Sequence, residues 1–432
     1  MGRTSFIPTA GLLLVAAGLL LAACESRPTV ATTERPPTVA PPPVAAGPAG
    51  APAVAPAPDT VDCTAQLRAE ESPADSLVRI GSRHYRLLLQ AFADSARPLS
   101  YRPDAGRELT NGQADTASVR GYDVRFVVSL RDSSGHKTVF RRQLRKRDFT
   151  KAVANDVLVP SEPSRPLYLG YSPALDALLF SYRFVIPETD VGGRAAVALG
   201  RQGQLRTVSS SGDYGSGNPD CDPVLAPGGQ AALTCSEVLR AHGRPLSLVK
   251  PAAHLIGARF LTDSALLVVY EYGTWQEVHY PAETMHAPNP NVLDSPVPGA
   301  RVTAAFDATE LVTTPAQRRA LNAFVMSTGG RVLKSFRYPG WQQELSYSLP
   351  RHFVAASRTY YFLNGEQSIF LIPKSHPAAV VELPLKQLEK FRAPRRAGEV
   401  RFMLSTVGPQ FDFYVDSHNP RQVRYRRVAG GD

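Results

Sequence analysis

From about residue 61 onward, short apolar runs alternate with clusters of turn residues. Runs of roughly four to eight residues rich in Val, Ile, Phe and Tyr, bounded by Gly, Pro, Asn or Ser, predict strands. The clearest case is TYYFLNGEQSIFLIP, where Asn364-Gly365 separates two apolar runs and predicts a hairpin. YDVRFVVSLRDSSGHKTVFRRQL turns at Ser134-Gly135, AVALGRQGQLRTV near Gln202-Gly203, and FVMSTGGRVLKSF at Gly329-Gly330. IFLIPKSHPAAVVEL turns near Ser375, and FDFYVDSHNPRQVRYRRV near His418-Asn419. Only two short helices are predicted. Thr314-Pro315 before AQRRALNAF reads as a capped start with proline in the first turn, and Pro384 with LKQLEKF is the second.

Turns near residues 202, 242, 329, 375 and 418 are spaced by 40, 87, 46 and 43 residues. If the long interval covers two units, a period of about 43 runs through the second half, with one turn missing near residue 285 inside a polar insertion. Multi-stranded repeats of about 40–50 residues are the pattern of propeller blades, each of which buries its faces on its neighbours. The expected fold is therefore all-β, with β-propeller-like repeats over residues 161–432 and an N-terminal β region over 61–160. The repeats number five or six from about residue 165. Two stacked β-sandwich domains are the alternative.

The first 60 residues differ in kind. Residues 9–23 carry no charge, follow Arg3, and are shorter than the roughly 20 apolar residues a spanning helix needs. A basic start, an apolar core and small residues before a cleavage point describe a signal peptide over 1–23. Leu21-Ala22-Ala23-Cys24 resembles the lipobox of bacterial lipoproteins. The resemblance implies that Cys24 is joined to diacylglycerol, becomes the new N-terminus and is N-acylated. Two or more acyl chains hold a protein stably at a bilayer, so the lipid bilayer is the first expected partner. Residues 24–60 then form the anchor and a tether: ten of residues 27–58 are proline, which excludes helix and sheet and favours extended chain. A single acidic residue, Glu25, follows the cysteine, which points to the periplasmic side of the outer membrane. Residues of about 75–210 also resemble a family of small uncharacterised envelope lipoproteins, through TVFRRQLRKRDF, ALLFSYRFVIPETD and VALGRQGQLRTV. If that likeness holds, this stretch is one β domain and any propeller is smaller or absent. It carries no site residue across.

The formal charge of +10 comes from 40 Arg and 8 Lys against 38 acidic residues. Clusters such as Arg141-Arg142, Arg395-Arg396 and Arg424-Arg426-Arg427 suit anionic lipid or solvated strand faces. An exported protein is not expected to meet nucleic acid. Export also permits disulfides. Cys221 and Cys235 flank the turn Pro227-Gly228-Gly229 and are expected to pair, leaving Cys63 over.

No H-E-x-x-H, G-x-S-x-G or phosphate-loop motif occurs, so no cofactor or metal is expected. The most unusual segment is EYGTWQEVHYPAETMHAPNPN, residues 271–291. Trp275, Glu277 and His279 alternate and share one face of an extended chain, with Glu283 and His286 following. Together they form the candidate binding segment, since imidazole beside carboxylate can move protons or hold metal. A second, weaker candidate is Asp213, Asp220 and Asp222, oxygen donors on a loop of the kind calcium accepts. The expected function is a membrane-anchored envelope lipoprotein whose β body binds an envelope protein or glycan. The alternatives are a propeller-scaffold hydrolase or lyase using the 271–291 segment, or a structural or assembly role in the envelope.

Overall fold

The structure, a computed structural model, describes residues 60–64, 70–102, 118–214, 218–280, 283–285, 301–303, 306–343, 346–391, 395–406 and 408–428. The signal segment, Cys24 and most of the tether lie outside them. Residues 57–432 form one compact unit.

That unit is all-β and consists mainly of six sheets in chain order, which we number I to VI. Sheet I contains Glu70–Ile80, Arg83–Tyr101, Ser118–Asp132 and Thr138–Arg145, with Thr60–Asp62 added in parallel. Sheet II is Leu167–Ser172, Ala177–Val185, Gly192–Gly200 and Leu205–Tyr214, and sheet III is Val224–Leu225, Ala231–Leu233, Glu237–Arg240 and Leu246–Ser247. Sheet IV is Ala253–Phe260, Ala265–Tyr272, Ala323–Ser327 and Val332–Phe336, and sheet V is Arg351–Val354, Thr359–Asn364, Ser368–Pro373 and Val381–Pro384. Sheet VI is Glu399–Ser405, Gln410–Asp416 and Val423–Val428, with Glu389–Lys390 parallel to the last.

Successive side chains on a strand point to opposite faces, and the second strands of the inner sheets use both. In Ala177–Val185, Leu178, Phe180, Tyr182 and Phe184 enter the core shared with sheet I, while Ala177 and Leu179 meet Ala232 and Leu239 of sheet III. Leu233 and Val238 of sheet III pack with Leu266, Val268 and Tyr270 of sheet IV. Leu267 and Val269 point the other way, to Phe362, Phe370 and Ile372 of sheet V. Tyr361, Leu363, Ile369 and Leu371 in turn join Phe402, Phe411, Phe413 and Val415 of sheet VI. Each large side chain so buried contributes roughly 1.5–3 kcal/mol. Sheets II to V thus bury both faces, which a pair of separate two-sheet sandwiches would not do. The core crosses residue 160 without a break and continues past residue 210 through the small side chains of Ala177, Ala198 and Ala232.

The outer sides of the two terminal sheets carry charged groups beside a few exposed apolar side chains, Leu77 and Val139 on sheet I and Met403 on sheet VI. Sheet I turns Arg86, Arg125 and Arg141 to solvent. Sheet VI turns out Arg401 and Arg426, each about half exposed, which bind the fully buried Asp412 at 3.0 and 2.8 Å.

The turns near 202, 242, 329 and 375 each join the third and fourth strands of a sheet, and Ser134-Gly135 does the same in sheet I. The long interval is not two units. Sheet IV alone fills it, because two small strand pairs are inserted between its second and third strands: Thr274–Tyr280 with Phe306–Val312, and Glu283–Met285 with Arg301–Thr303. Residue 285 therefore lies in a strand of the insertion. Five sheets follow residue 165 and one precedes it.

The helix at Thr314 is present as Pro315–Arg319, with the Thr314 hydroxyl accepting from the Gln317 amide at 3.2 Å. LKQLEKF instead makes one 3-10 turn, Leu385–Gln387, because Leu385 is buried and hydrogen-bonded to Gln367, and Glu389–Lys390 pairs with the last strand.

Two places in the fold are tight. Gly340 passes under the Asn364-Gly365 hairpin so closely that a Cβ there would lie 2.2 Å from the Asn364 Cα. Where sheet I meets sheet II, a 3-10 turn at Lys146–Phe149 inserts both of its ends into the interior. The Phe149 ring lies 4.8 and 4.9 Å from Tyr182 and Phe184. Lys146 is buried, and its Nζ donates to the carbonyl oxygens of Val159 at 3.0 Å and Ser161 at 2.7 Å.

Candidate functional site

Edge strands of three consecutive sheets, Ala253–Phe260 of IV, Arg351–Val354 of V and Glu399–Ser405 of VI, meet at an open cleft of about 530 Å³. Its walls include Arg259, Ser348, Arg351, His352, Tyr360 and Ser405. Phe353 and Met403 also line it, and both are solvent-exposed, an uncommon state for large apolar side chains in this body.

The two arginines are in different electrostatic states. Arg351 is ion-paired with Asp220, which also accepts the Leu349 amide at 2.8 Å. Asp220 is held in place by its neighbours. Arg194 of sheet II donates to Asp222 at 2.7 Å and to the Cys221 carbonyl at 3.0 Å, and Cys221 is disulfide-bonded to Cys235 with Cα atoms 5.8 Å apart. Arg259 has no such partner: its Nε is buried without an acceptor, and among the described residues no carboxylate pairs with it. A buried polar group in that state calls for an explanation. His352 lies flat on Phe402, with ring centres 4.5 Å apart at 12°, and burial pushes its pKa below the usual histidine value. Burial pushes Tyr360 up, and its ring lies 4.5 Å from that of Phe353. The cleft thus combines one unpaired guanidinium, one neutralised guanidinium, hydroxyl groups and an apolar rim.

The residues singled out from sequence lie elsewhere. Trp275, Glu277 and His279 do alternate along one strand, Thr274–Tyr280 of the insertion. Trp275 braces that strand on sheet IV, its Nε1 donating to His254 Nδ1 at 3.2 Å and its ring 5.5 Å from the imidazole. Glu277 and His279 are exposed. Glu283 falls in the strand Glu283–Met285, and His286 lies outside the described residues, as does Cys24. Asp220 and Asp222 are engaged by Arg351 and Arg194, and Asp213 lies in the strand Leu205–Tyr214. No group of three or more His, Cys, Asp or Glu placed to hold a metal occurs among the described residues. Among those residues, no helix is long and apolar enough to cross a membrane.

Arg259 was visible in the sequence as the one charge in HLIGARFL, an otherwise apolar run that reads as a strand buried on both faces. No protein-family model and no curated protein sequence matches this chain.

Proposed function

We propose that this chain is a lipid-anchored envelope protein whose β body is a propeller-like array that binds its partner in the cleft between sheets IV, V and VI. The observation that carries the binding reading is the meeting of three edge strands at a cleft lined by Arg259, a half-buried arginine with no carboxylate partner among the described residues. The repeated up-and-down sheets, each cored on its neighbours, support the array. In a propeller, the innermost strands of successive blades face a central channel, and the lining of one cleft by the first strands of sheets IV, V and VI supports that reading. The lipobox-like segment ending at Cys24 supports acylation, outer-membrane attachment facing the periplasm, and a tether that holds the body clear of the lipid. The partner class is an envelope protein or glycan.

Two measurements test this reading. Mass spectrometry of the processed protein is expected to find acylated Cys24 as the first residue; an unmodified Cys24 refutes the anchor. A photo-crosslinking side chain at Met403, in the cleft, is expected to capture an envelope component that the same side chain at Leu77, exposed on sheet I and outside the cleft lining, does not. Equal capture from both positions, or from neither, refutes the binding site.

A further inference from the structure

The cleft's charge count narrows the ligand beyond the binding reading on which this inference rests. Asp220 meets the charge of Arg351. Burial against Phe402 disfavours the charged form of His352. Lys374 lies 5.9 Å from the Phe353 ring but does not line the cleft. One uncompensated positive charge remains, on Arg259. Its Nε is closed off from water and ligand alike, so a ligand oxygen meets the guanidinium through its two terminal nitrogens at the cleft wall. Arg131 and Arg142 also bury Nε without an acceptor, but neither lines this cleft.

A planar guanidinium matches a planar carboxylate through two parallel hydrogen bonds. A single net charge suits a monoanion better than a phosphate approaching two charges. Beside this polar floor stand Phe353, 37% exposed, Met403, 54% exposed, and the Tyr360 ring. That rim offers contact to a ring face or another apolar body. Ligand sites commonly combine a mostly apolar wall with a few placed polar groups.

We infer that the cleft binds a monocarboxylate carried on a ring or other apolar body, with Arg259 gripping the carboxylate and Phe353 and Met403 covering the body. The carboxylate has two sources that share this chemistry, an acidic sugar or an aromatic acid.

The test is calorimetric titration of the full-length protein in detergent with glucuronate, benzoate, glucose and inorganic phosphate. One or both carboxylates are expected to bind, with glucose and phosphate weaker by about tenfold or more, the equivalent of one charge-assisted hydrogen bond. Arg259→Gln is expected to weaken carboxylate binding by about tenfold or more, on the same basis, with Tm unchanged. Arg259→Lys keeps the charge without the fork and falls between the two. Met403→Ala, at an exposed position, keeps the test open if Arg259→Gln does not fold. It is expected to weaken benzoate more than glucuronate if the source is an aromatic acid, and both alike if it is a sugar. Carboxylate binding unchanged in both Arg259 variants, phosphate bound as tightly as the carboxylates, or no carboxylate binding overturns the proposal. Binding of glucose without the carboxylates overturns it while leaving the cleft as a binding site. Failure of the Met403 crosslink removes the cleft itself.

Discussion

Lys146 gives the sharpest prediction about stability. Its side chain is buried at the junction of sheets I and II, where the amine donates to two carbonyl oxygens. Burial there lowers its pKa from 10.5 to about 7, outweighing the attraction of Asp123 and Cys63. Because the folded-state value is the lower one, the unfolded chain holds this proton between pH 7 and 10.5 while the folded protein has released it. Stability therefore rises with pH across that window. The penalty is fully present below about pH 7 and is gone above the unfolded value. At about 1.4 kcal/mol per pH unit, the gap between 10.5 and about 7 corresponds to about 5 kcal/mol. Lys146→Met removes the titration and leaves the Val159 and Ser161 carbonyls without this donor, at about 1–3 kcal/mol each. That second cost does not depend on pH. The assay is urea unfolding of the parent and Lys146→Met from pH 6.5 to 9.5, both carrying Cys63→Ser. The serine removes the neighbouring thiol, a second titrating group whose pKa burial pushes up. The stability of the parent relative to the variant is expected to grow by about 3–4 kcal/mol over that span. A difference that stays flat with pH refutes a depressed Lys146.

Gly340→Ala should lower Tm by several degrees, because the new methyl group meets the backbone of Asn364 and Gly365 rather than a side chain that can rotate away. Gly329→Ala, whose Cβ would lie 3.5 Å from the Ser327 hydroxyl, is the matched control and is expected to stay within about 0.5 kcal/mol of the parent. Reducing the Cys221–Cys235 disulfide, which closes a loop of 14 residues, should cost about 3 kcal/mol on chain-entropy grounds, read as a lower urea midpoint. It should also loosen Asp220, so ligand affinity in the cleft is expected to fall along with stability.

The hairpins were legible in the sequence because their turns carry local chemistry. Gly135, Gly203, Gly330 and Gly365 all adopt positive φ, a backbone state glycine reaches without a Cβ clash. The recurring third hairpin was legible for the same reason. The 87-residue interval was misread because a periodic count cannot distinguish a lost unit from an insertion inside a kept one. Pairing of Ala265–Tyr272 with Ala323–Ser327 across the insertion is a tertiary fact. LKQLEKF has the spacing of a helix, but burial of Leu385 and strand pairing at Glu389 overrode it. The cleft was not legible. Arg259, Arg351 and Met403 come from three sheets and share no spacing, and Arg351 differs from Arg259 only through Asp220, far away in the chain. Trp275 drew attention as a large aromatic residue among polar neighbours, and its partner proved to be His254.

The charged outer sides of sheets I and VI bear on how molecules of this kind meet one another. A chain of like units that bury their faces on each other risks doing the same with a second chain, because a matching apolar face at either end would accept another molecule's terminal unit. Here both ends present guanidinium groups, those of Arg86, Arg125 and Arg141 on one and Arg401 and Arg426 on the other. End-to-end approach would strip water from these mostly ion-paired guanidinium groups and gain apolar contact only from scattered side chains such as Leu77 and Met403. The charged ends thus disfavour growth of the stack from one molecule into the next.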